Sequence, residues 1–353
     1  MLNWGLIGAG SIAKVFCNGM RFSKTGRITA VASRSKDRAA ELASAFSIPK
    51  VYHDYESLLA DGQIDVVYIN TIHPAHAEWV IEAARAGKHI LVEKPIGLNS
   101  QEAAAMVEAA QVNDVFLMEA FMYRCHPQTQ KLAELVREGV IGQVQIIRSV
   151  FSYNAAFNPT SKTYTNELGG GGILDVGCYP ASMTRLIAGA ASGKPFLNPM
   201  EVKGTAKIGP TGVDHYAAAT LHFENDIIAE IITGVNCQMP VEVSIYGTDG
   251  ILSVPNPWLP SSPCRSASIP LPLDTVFPPT SIQLKRHAEP HPEEITITPD
   301  RDLFTYEADM VAANIDDRQS PAMNWQDTLG NMQLLDQWRR QGGVVYPQDN
   351  IRQ

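Results

Sequence analysis

The chain has 353 residues, of which 45% are hydrophobic and 18% charged, and its formal net charge is -9 at pH 7. That length exceeds what a single hydrophobic core usually supports, so we expect two domains that can enclose a cleft. The acidic balance argues against nucleic acid or an anionic membrane as the main partner and favours a small-molecule ligand.

The N-terminus and the cysteines indicate a cytoplasmic protein. Met1 leads directly into an apolar run without a basic region or cleavage site, and no apolar stretch approaches the roughly 18 residues of a membrane span. The five cysteines are scattered and form no C-x-x-C pair, so we expect reduced thiols. They are Cys17, Cys125, Cys178, Cys237 and Cys264.

Residues 1–121 alternate short apolar runs with longer helical patterns. The runs are continuously hydrophobic, as strands covered on both faces are, and they span residues 2–7, 28–32, 66–69, 89–92 and 115–118. The helical patterns place apolar residues three and four positions apart, over residues 11–21, 36–46, 76–86 and 100–110. This alternation predicts an α/β domain with a parallel, doubly wound sheet of the Rossmann type.

Residues 122–353 follow a different pattern. Long and partly alternating runs predict strands of a large, mainly antiparallel open sheet, at residues 144–153, 201–208, 215–223, 227–235 and 242–246. Helical patterns lie at 179–188, 303–315 and 325–341, so this second domain is predicted to be α+β. Prolines crowd residues 254–294, where we expect edge strand, turns and irregular surface because proline cannot occupy a central strand.

The first predicted strand runs directly into a glycine-rich turn. Gly8, Gly10 and Ala13 form a G-x-G-x-x-A pattern that opens the first helix, with Ser11 and Ile12 in its first turn. Gly8 permits the tight turn, Gly10 lets a pyrophosphate approach the backbone, and the small Ala13 lets helix and strand pack closely. This context predicts a dinucleotide site at this end of the sheet.

The end of the second predicted strand indicates which dinucleotide binds. An acidic residue about 20 positions beyond the glycines would bind the ribose hydroxyls of NAD, but this chain has Ser33 and Arg34 there. A guanidinium presents a fork of donors that suits a 2′-phosphate. Lys36 and Arg38 either support it or belong to a solvated helix start. We therefore predict NADP rather than NAD.

A lysine follows the predicted strand at 89–92. The tripeptide Glu93-Lys94-Pro95 places the Lys94 ammonium at the carboxyl edge of a parallel sheet, where the ligands of such sheets bind. A partly buried ammonium donates hydrogen bonds and lowers the pKa of a neighbouring acid. Lys94 is therefore a candidate catalytic residue, although a surface lysine fits this tripeptide equally well.

Four motifs, in this order, resemble the glucose-fructose oxidoreductase/inositol dehydrogenase/rhizopine-catabolism (Gfo/Idh/MocA) family of NAD(P)-dependent oxidoreductases. They are the G-x-G-x-x-A turn, Glu93-Lys94-Pro95, residues 118–124 and residues 169–179. Within the family, Met-Glu-Ala-Phe-Met-Tyr-Arg and Asp175-x-x-x-Tyr179 are similar to the NADP-dependent D-xylose dehydrogenases and dimeric trans-dihydrodiol dehydrogenases. The resemblance implies a Rossmann domain, a second domain whose open sheet often forms a subunit interface, and hydride transfer at a sugar or cyclic-alcohol carbon.

The resemblance also implies three catalytic positions. The family's lysine falls on Lys94, and its aspartate and acid/base residue fall on Asp175 and Tyr179. Many members carry histidine at the last position, so here we expect a phenol to act as the acid/base group. An adjacent ammonium would bring the phenol's pKa of about 10 toward neutrality, while Asp175 would orient sugar hydroxyls or the lysine.

Four consecutive glycines at residues 169–172 precede these side chains. Asp175 and Tyr179 are four positions apart and therefore share one helix face. We interpret the glycines as a clearance that lets the main chain pass close to nicotinamide and substrate, with a disordered hinge as the rival interpretation.

Further residues are predicted to line the cofactor pocket. Thr71, His73 and His76 follow the third of the predicted strands, and Arg124 lies just past the last one, where a structural salt bridge is an equal alternative. No carboxylate or thiol joins the two histidines at ligand spacing, so we expect no metal. The complete predicted cofactor set is Gly8, Gly10, Ser11, Ile12, Ser33, Arg34, Thr71, His73, His76, Glu93, Lys94 and Arg124.

We therefore predict an NADP-dependent dehydrogenase or reductase that acts on a sugar or cyclic diol and forms a homodimer or higher homo-oligomer. Two alternatives share the fold, namely a non-catalytic dinucleotide-binding sensor and a reductase of an imine or a biliverdin-like substrate. The intact set of Lys94, Asp175 and Tyr179 favours an enzyme over the sensor. Tyr153 and its neighbouring aromatic residues border the expected cleft, but core packing is the favoured interpretation of each.

Overall fold

The computed structural model describes residues 1–262 and 269–350, so the predicted thiol Cys264 lies outside the described residues. A parallel sheet is formed by β1 Leu2–Ile7, β2 Gly26–Ala32, β3 Lys50–Tyr52, β4 Val66–Ile69, β5 His89–Glu93 and β6 Leu117–Ala120. Its strand order is β3-β2-β1-β4-β5-β6, and every pair is parallel. The order reverses between β1 and β4, which is where doubly wound sheets bind their ligands.

Helices connect these strands, as the alternating pattern predicts. They are α1 Ser11–Met20, α2 Lys36–Phe46, α3 Tyr55–Leu59, α4 His76–Arg85 and α5 Ser100–Val112. The side chains of Ser35 and Asn99 cap α2 and α5 by accepting bonds from backbone N–H groups three residues on. Strand β3 and helix α3 are not predicted from the sequence, because three and five residues are too short to display a period.

The second sheet follows α6 Met122–Cys125 and α7 Pro127–Arg137. Its strands are β7 Val144–Ser152, β8 Glu201–Ile208, β9 Asp214–His222, β10 Ile228–Gly234, β11 Glu242–Gly247, β12 Gly250–Val254, β13 Thr280–Arg286 and β14 Glu293–Ile297. The strand order is β14-β13-β12-β11-β7-β10-β9-β8. Strands β7 and β10 run parallel and the remaining pairs run antiparallel, which confirms the predicted α/β fold with a mainly antiparallel second sheet.

The proline-rich segment contains more regular structure than predicted. The prediction of edge strand and irregular surface over 254–294 holds for β14 at the sheet edge, but β13 is an internal strand with Ile282 and Leu284 buried. Both strands begin after the proline cluster of residues 254–279, so their own backbone N–H groups remain available for the ladder.

Helices α8 Cys178–Ala191, α9 Leu303–Asn314 and α10 Trp325–Gly342 complete the fold. Helix α8 packs on β7 and β10, while α10 packs on β8 and β9, and the buried Trp338 ring of α10 donates to the Ala218 carbonyl of β9 at 3.2 Å. Helix α9 returns to the first sheet, and the Thr305 hydroxyl donates to the Gly19 carbonyl of α1 at 2.6 Å. Among the described residues, no helix combines the length and the apolar character that crossing a bilayer requires.

Candidate active site

A cleft of about 340 Å³ lies where the carboxyl ends of the parallel strands meet the second sheet. Helix α1 and the ends of β4 and β5 form one wall, and the segment from β7 to α8 forms the other. Its lining residues are Ser11, Ile12, Val15, Thr71, His73, His76, Glu93, Lys94, Met122, Tyr153, Lys162, Thr163, Asp175, Val176, Tyr179 and Phe304. Most of the residues predicted to bind the cofactor, and all three predicted catalytic residues, therefore line the same cleft.

The glycine-rich turn has the geometry of a phosphate-binding turn. Gly8 has φ +115°, and a Cβ there would lie 2.7 Å from the Asn70 side-chain oxygen, so only glycine fits. A Cβ on Gly10 would have no neighbour within 4 Å, which leaves the backbone open to an approaching group. Helix α1 begins at Ser11 without a side-chain cap, so its first N–H groups face that space. These residues fit the diphosphate of a dinucleotide.

The end of β2 carries the residues that we predicted to select NADP. Ser33 is buried, and its hydroxyl accepts a bond from the Ser35 N–H at 3.2 Å. Arg34 is exposed, and within the described part of the chain its guanidinium has no ion-pair or hydrogen-bond partner. Arg34 is therefore accessible to an anionic ligand group at the mouth of the turn.

The Lys94 ammonium joins the two walls of the cleft. Its Nζ donates to the main-chain carbonyl of Asp175 at 2.8 Å, lies 3.9 Å from the Asp175 carboxylate, and is 5.0 Å from the centroid of the Tyr179 ring. Burial opposes the charged form, but the acidic groups around it, with Tyr179 and Cys178 foremost, raise the pKa of Lys94 above its ordinary value. Lys94 is therefore a fixed positive charge in the cleft.

Asp175 belongs to a π-helix, Ile173–Gly177, that leads into α8. Its carboxylate accepts a hydrogen bond from the Tyr153 hydroxyl, a cleft contact that the sequence pattern did not assign. Burial opposes ionisation, yet the Lys94 charge and the Tyr153 bond together lower the pKa of Asp175. Burial and the neighbouring Asp175 raise the pKa of Tyr153, so this phenol remains a hydrogen-bond donor.

Tyr179 lies in the first turn of α8 and is 1% exposed. Its hydroxyl donates to the Met122 sulfur at 3.7 Å, and its ring packs edge-on against Phe121 and Phe151 with centroids 5.4 and 5.0 Å apart. The phenol is therefore held in a single orientation between the two walls. A thioether is a weak acceptor, which a substrate hydroxyl can replace.

Glu93 and the two histidines border the cleft and form hydrogen bonds within the chain. The Glu93 carboxylate accepts from the Tyr68 hydroxyl, and burial raises its pKa. His73 Nδ1 lies 3.2 Å from the Gly169 carbonyl, and His76 lies 3.1 Å from the Pro95 carbonyl and 3.3 Å from that of Thr71. Burial lowers the pKa of His73 to about 3 and of His76 to about 4, so both rings are neutral at physiological pH.

The contact of the His76 ring with the Pro95 carbonyl holds the backbone that follows Lys94. Thr71 and His73 line the cleft, as predicted, while the nitrogen atoms of the His76 ring face carbonyls of the chain itself. No group of three or more His, Cys, Asp or Glu side chains in residues 1–262 and 269–350 is arranged to hold a metal ion.

The structure places Arg124 away from the cleft, although the sequence predicts it as one of the cofactor-binding residues. This residue is 4% exposed and does not line the cleft, because its guanidinium forms an ion pair with Asp327 and donates to the carbonyls of Ser182 and Ala322. The salt-bridge alternative is correct. Its partner lies 203 positions further along the chain, on α10, so no local pattern could identify it.

The glycine run, which we interpret from the sequence as a clearance for cofactor and substrate, also permits close packing within the chain itself. A Cβ on Gly171, where φ is +106°, would lie 2.3 Å from the Asp214 carboxylate, and one on Gly170 would lie 2.7 Å from the Thr163 carbonyl. The Asp214 carboxylate accepts from the Ile173 N–H at 2.9 Å and so holds the start of the π-helix. The glycines thus let the chain pack closely against its own buried carboxylate.

The sequence patterns missed several cleft residues. Lys162 and Thr163 lie in a short 3-10 turn, and Phe304 is contributed by α9 from the far end of the chain. The turn is too short to display a period, and Phe304 reaches the cleft only because α9 packs against α1.

Two protein-family models match separate parts of the chain. The model of the Gfo/Idh/MocA oxidoreductase family, NAD-binding Rossmann fold, matches residues 2–121, and the Gfo/Idh/MocA C-terminal domain model matches residues 129–253. A trans-1,2-dihydrobenzene-1,2-diol dehydrogenase of Danio rerio is 32% identical over 356 residues, which cover 99% of this chain and 99% of that protein. The enzyme of that name from Homo sapiens is 30% identical over 263 residues, 74% of this chain and 76% of its own.

Solved structures share the fold over nearly the whole chain. The crystal structure of a 3-ketoreductase from Actinomadura kijaniata in complex with NADP and TDP-benzene has a TM-score of 0.81 at 24% identity, covering 96% of this chain and 97% of its own. The aldose-aldose oxidoreductase from Caulobacter crescentus complexed with glycerol has a TM-score of 0.81 at 20% identity, covering 97% of each chain. The chain belongs to the Gfo/Idh/MocA family of oxidoreductases with an NAD-binding Rossmann fold.

Proposed function

We propose that the protein is an NADP-preferring dehydrogenase or reductase that acts on a hydroxyl-bearing carbon of a sugar or a cyclic diol. The observation that carries the proposal is the convergence of Lys94, Asp175 and Tyr179 in one cleft with the open glycine-rich turn. The relatives named trans-1,2-dihydrobenzene-1,2-diol dehydrogenase, which match 99% of this chain in Danio rerio and 74% in Homo sapiens, support a polyhydroxylated substrate.

The residues around the turn at Gly10 would hold the dinucleotide. Its diphosphate would lie at the N-terminus of α1, its nicotinamide end beside Thr71 and His73, and its 2′-phosphate near Arg34. When bound, it supplies the acceptor or donor of hydride. The solved structure of similar fold that contains NADP supports the choice between the two dinucleotides.

Within this frame, Tyr179 acts as the acid/base group for the substrate hydroxyl. In the oxidation direction the phenolate oxygen takes the hydroxyl proton, and the Lys94 ammonium stabilises the phenolate. Asp175 is ionised and held by Tyr153, so it can accept a bond from a neighbouring substrate hydroxyl and orient the ring.

The test is a panel of aldoses, inositols and dihydrodiols with NADP and NAD, followed by the nicotinamide absorbance change. Lys94→Ala and Tyr179→Phe should each lower kcat by about 10²- to 10⁴-fold while the Kd for NADP stays within a few-fold of the parent value. Lys24→Ala changes an exposed lysine outside the cleft, and Tyr306→Phe removes a hydroxyl that donates to the Asp300 carboxylate outside the cleft, so the two serve as matched controls. Near-normal turnover of either cleft variant would refute the assignment.

We also infer that a second copy of the chain covers the open face of the second sheet. Ile146 on β7 and Ile228 on β10 are paired across the strands and are 46% and 45% exposed, and Tyr216 on β9 is exposed on the same face. Such a row of exposed apolar side chains is typical of a protein interface. Ile228→Glu should convert a dimer to a monomer in light scattering, whereas a parent protein that is already monomeric would contradict the inference.

A further inference from the structure

The segment that leaves β6 contacts Tyr179 and the backbone just beyond Lys94, the two members of the proposed acid/base pair. Glu119 is the third residue of β6, and Phe121, Met122 and Tyr123 directly follow the end of that strand. All four side chains are buried. Of the motif at residues 118–124, only Arg124 is predicted from the sequence to bind the cofactor. The position of the other residues in the fold therefore needs a separate explanation.

On the lysine side, Glu119 holds the backbone just beyond Lys94. Its Oε1 accepts a hydrogen bond from the Ile96 N–H at 2.9 Å, and the His76 ring lies 3.1 Å from the Pro95 carbonyl. The two residues after Lys94 are thus anchored from two directions. Because the ammonium extends from this backbone, displacement of the backbone moves Nζ relative to the other wall of the cleft.

On the tyrosine side, the next three residues enclose the phenol. The Phe121 ring meets the Tyr179 ring edge-on with centroids 5.4 Å apart, and the Tyr123 ring lies 5.6 Å away at 32°. Between them, Met122 accepts from the phenol hydroxyl at 3.7 Å. The Arg124 ion pair with Asp327 then fastens the end of the segment to α10.

We propose that residues 119–123 act as a spacer that sets the separation of Lys94 and Tyr179, with Glu119 as the positioning residue for Lys94 and Met122 for Tyr179. The inference rests on the proposed function of that pair. One continuous stretch of buried chain bonds both the backbone just beyond Lys94 and the Tyr179 hydroxyl, so backbone geometry helps to set their separation in addition to the direct contact across the cleft.

The first experiment compares two substitutions at Glu119. Glu119→Gln keeps an oxygen that can accept from Ile96, whereas Glu119→Met has a similar size but no such acceptor. We expect Glu119→Gln to keep kcat within about 3-fold of the parent and Glu119→Met to lower it by about 10- to 100-fold, with the Kd for NADP unchanged. In the oxidation direction the acidic limb of the kcat–pH profile should move to higher pH in Glu119→Met, because a displaced ammonium stabilises the phenolate less.

A double-variant cycle separates positioning from a general structural effect. If Glu119 acts through Lys94, then Glu119→Met should cost little, within about 3-fold, when Lys94 is already alanine. An equal loss in the presence and absence of Lys94, or a Glu119→Gln variant as impaired as Glu119→Met, overturns the inference. Normal turnover of Lys94→Ala alone instead overturns the proposed function, so the two failures are distinguishable.

Met122→Leu provides a second test if Glu119→Met does not fold. This swap conserves volume and is usually tolerated in cores, but it removes the sulfur that accepts a hydrogen bond from the Tyr179 hydroxyl. We expect kcat to fall about 3- to 10-fold with a shifted pH profile, and we expect this loss to disappear in the Tyr179→Phe background. Unchanged turnover and an unchanged profile in Met122→Leu would contradict the spacer role.

Discussion

The Lys94 ammonium donates to the main-chain carbonyl of Asp175 at 2.8 Å, although the two residues are 81 positions apart in the chain. The bond connects the carboxyl end of β5 to the π-helix that precedes α8. It therefore joins the dinucleotide wall of the cleft to the wall that carries Tyr179. The arrangement leaves the ammonium close to both the Asp175 carboxylate and the Tyr179 ring.

Tyr153 should matter for substrate binding. Tyr153→Phe removes the donor to the Asp175 carboxylate, and hydrogen bonds to charged groups contribute about 1.5–3 kcal/mol. We expect kcat/KM for the best polyol to fall by at least about 10-fold, with NADP affinity unchanged. Steady-state kinetics beside the Tyr306→Phe control, which removes a tyrosine–carboxylate bond outside the cleft, would check this, and an unchanged kcat/KM would show that the bond does not orient Asp175.

Arg34 should determine the choice of dinucleotide. Arg34→Ala removes the exposed guanidinium at the end of β2, so the ratio of kcat/KM for NADP over NAD should fall by about 10-fold or more. Arg137→Ala, an exposed arginine on α7, is the control. Equal use of both dinucleotides by the parent enzyme, or an unaltered ratio in the variant, would count against this role.

Arg124 should affect stability and leave cofactor binding alone. Arg124→Met leaves the Asp327 carboxylate with one of its two guanidinium partners, the buried Arg185. Breaking a buried pair from one side typically costs about 3–5 kcal/mol in the free energy of unfolding. Urea unfolding beside Arg137→Met and a titration with NADP would measure both quantities. Weakened NADP binding at unchanged stability would restore the original prediction for Arg124.

Glu119 should make stability depend on pH. Burial raises the pKa of Glu119 to about 8, with Asp327 adding to the shift and the Ile96 N–H and Arg185 opposing it. An unfolded glutamate titrates near about 4.3, so the stability contributed by neutral Glu119 is complete below that pH. It is lost as the pH rises through about 8.

Because Glu119→Gln cannot ionise, its free energy of unfolding relative to the parent should increase from about pH 5 to about pH 9. The increase has an upper limit of about 5 kcal/mol. Urea unfolding at several pH values would measure it, and a pH-independent difference between the two proteins would show that Glu119 is already ionised in the folded state.

The local features of this protein were readable from the sequence for a physical reason. A buried parallel strand must be apolar, a helix that packs on it must repeat every three to four residues, and a turn at φ +115° requires glycine at Gly8. Each of these constraints acts within a few residues, so β1, α1 and the position of Lys94 at a strand end all followed from pattern.

Partners from distant parts of the chain were decided only by the tertiary structure. Arg124 pairs with Asp327, Gly171 packs on Asp214, and Tyr153 binds Asp175, and none of these contacts leaves a mark on the neighbouring sequence. A guanidinium just past a strand suits a phosphate and a carboxylate equally well. The packing of α10 brings the Asp327 carboxylate to the Arg124 guanidinium. The pairing is required because an unpaired buried charge would destabilise the fold.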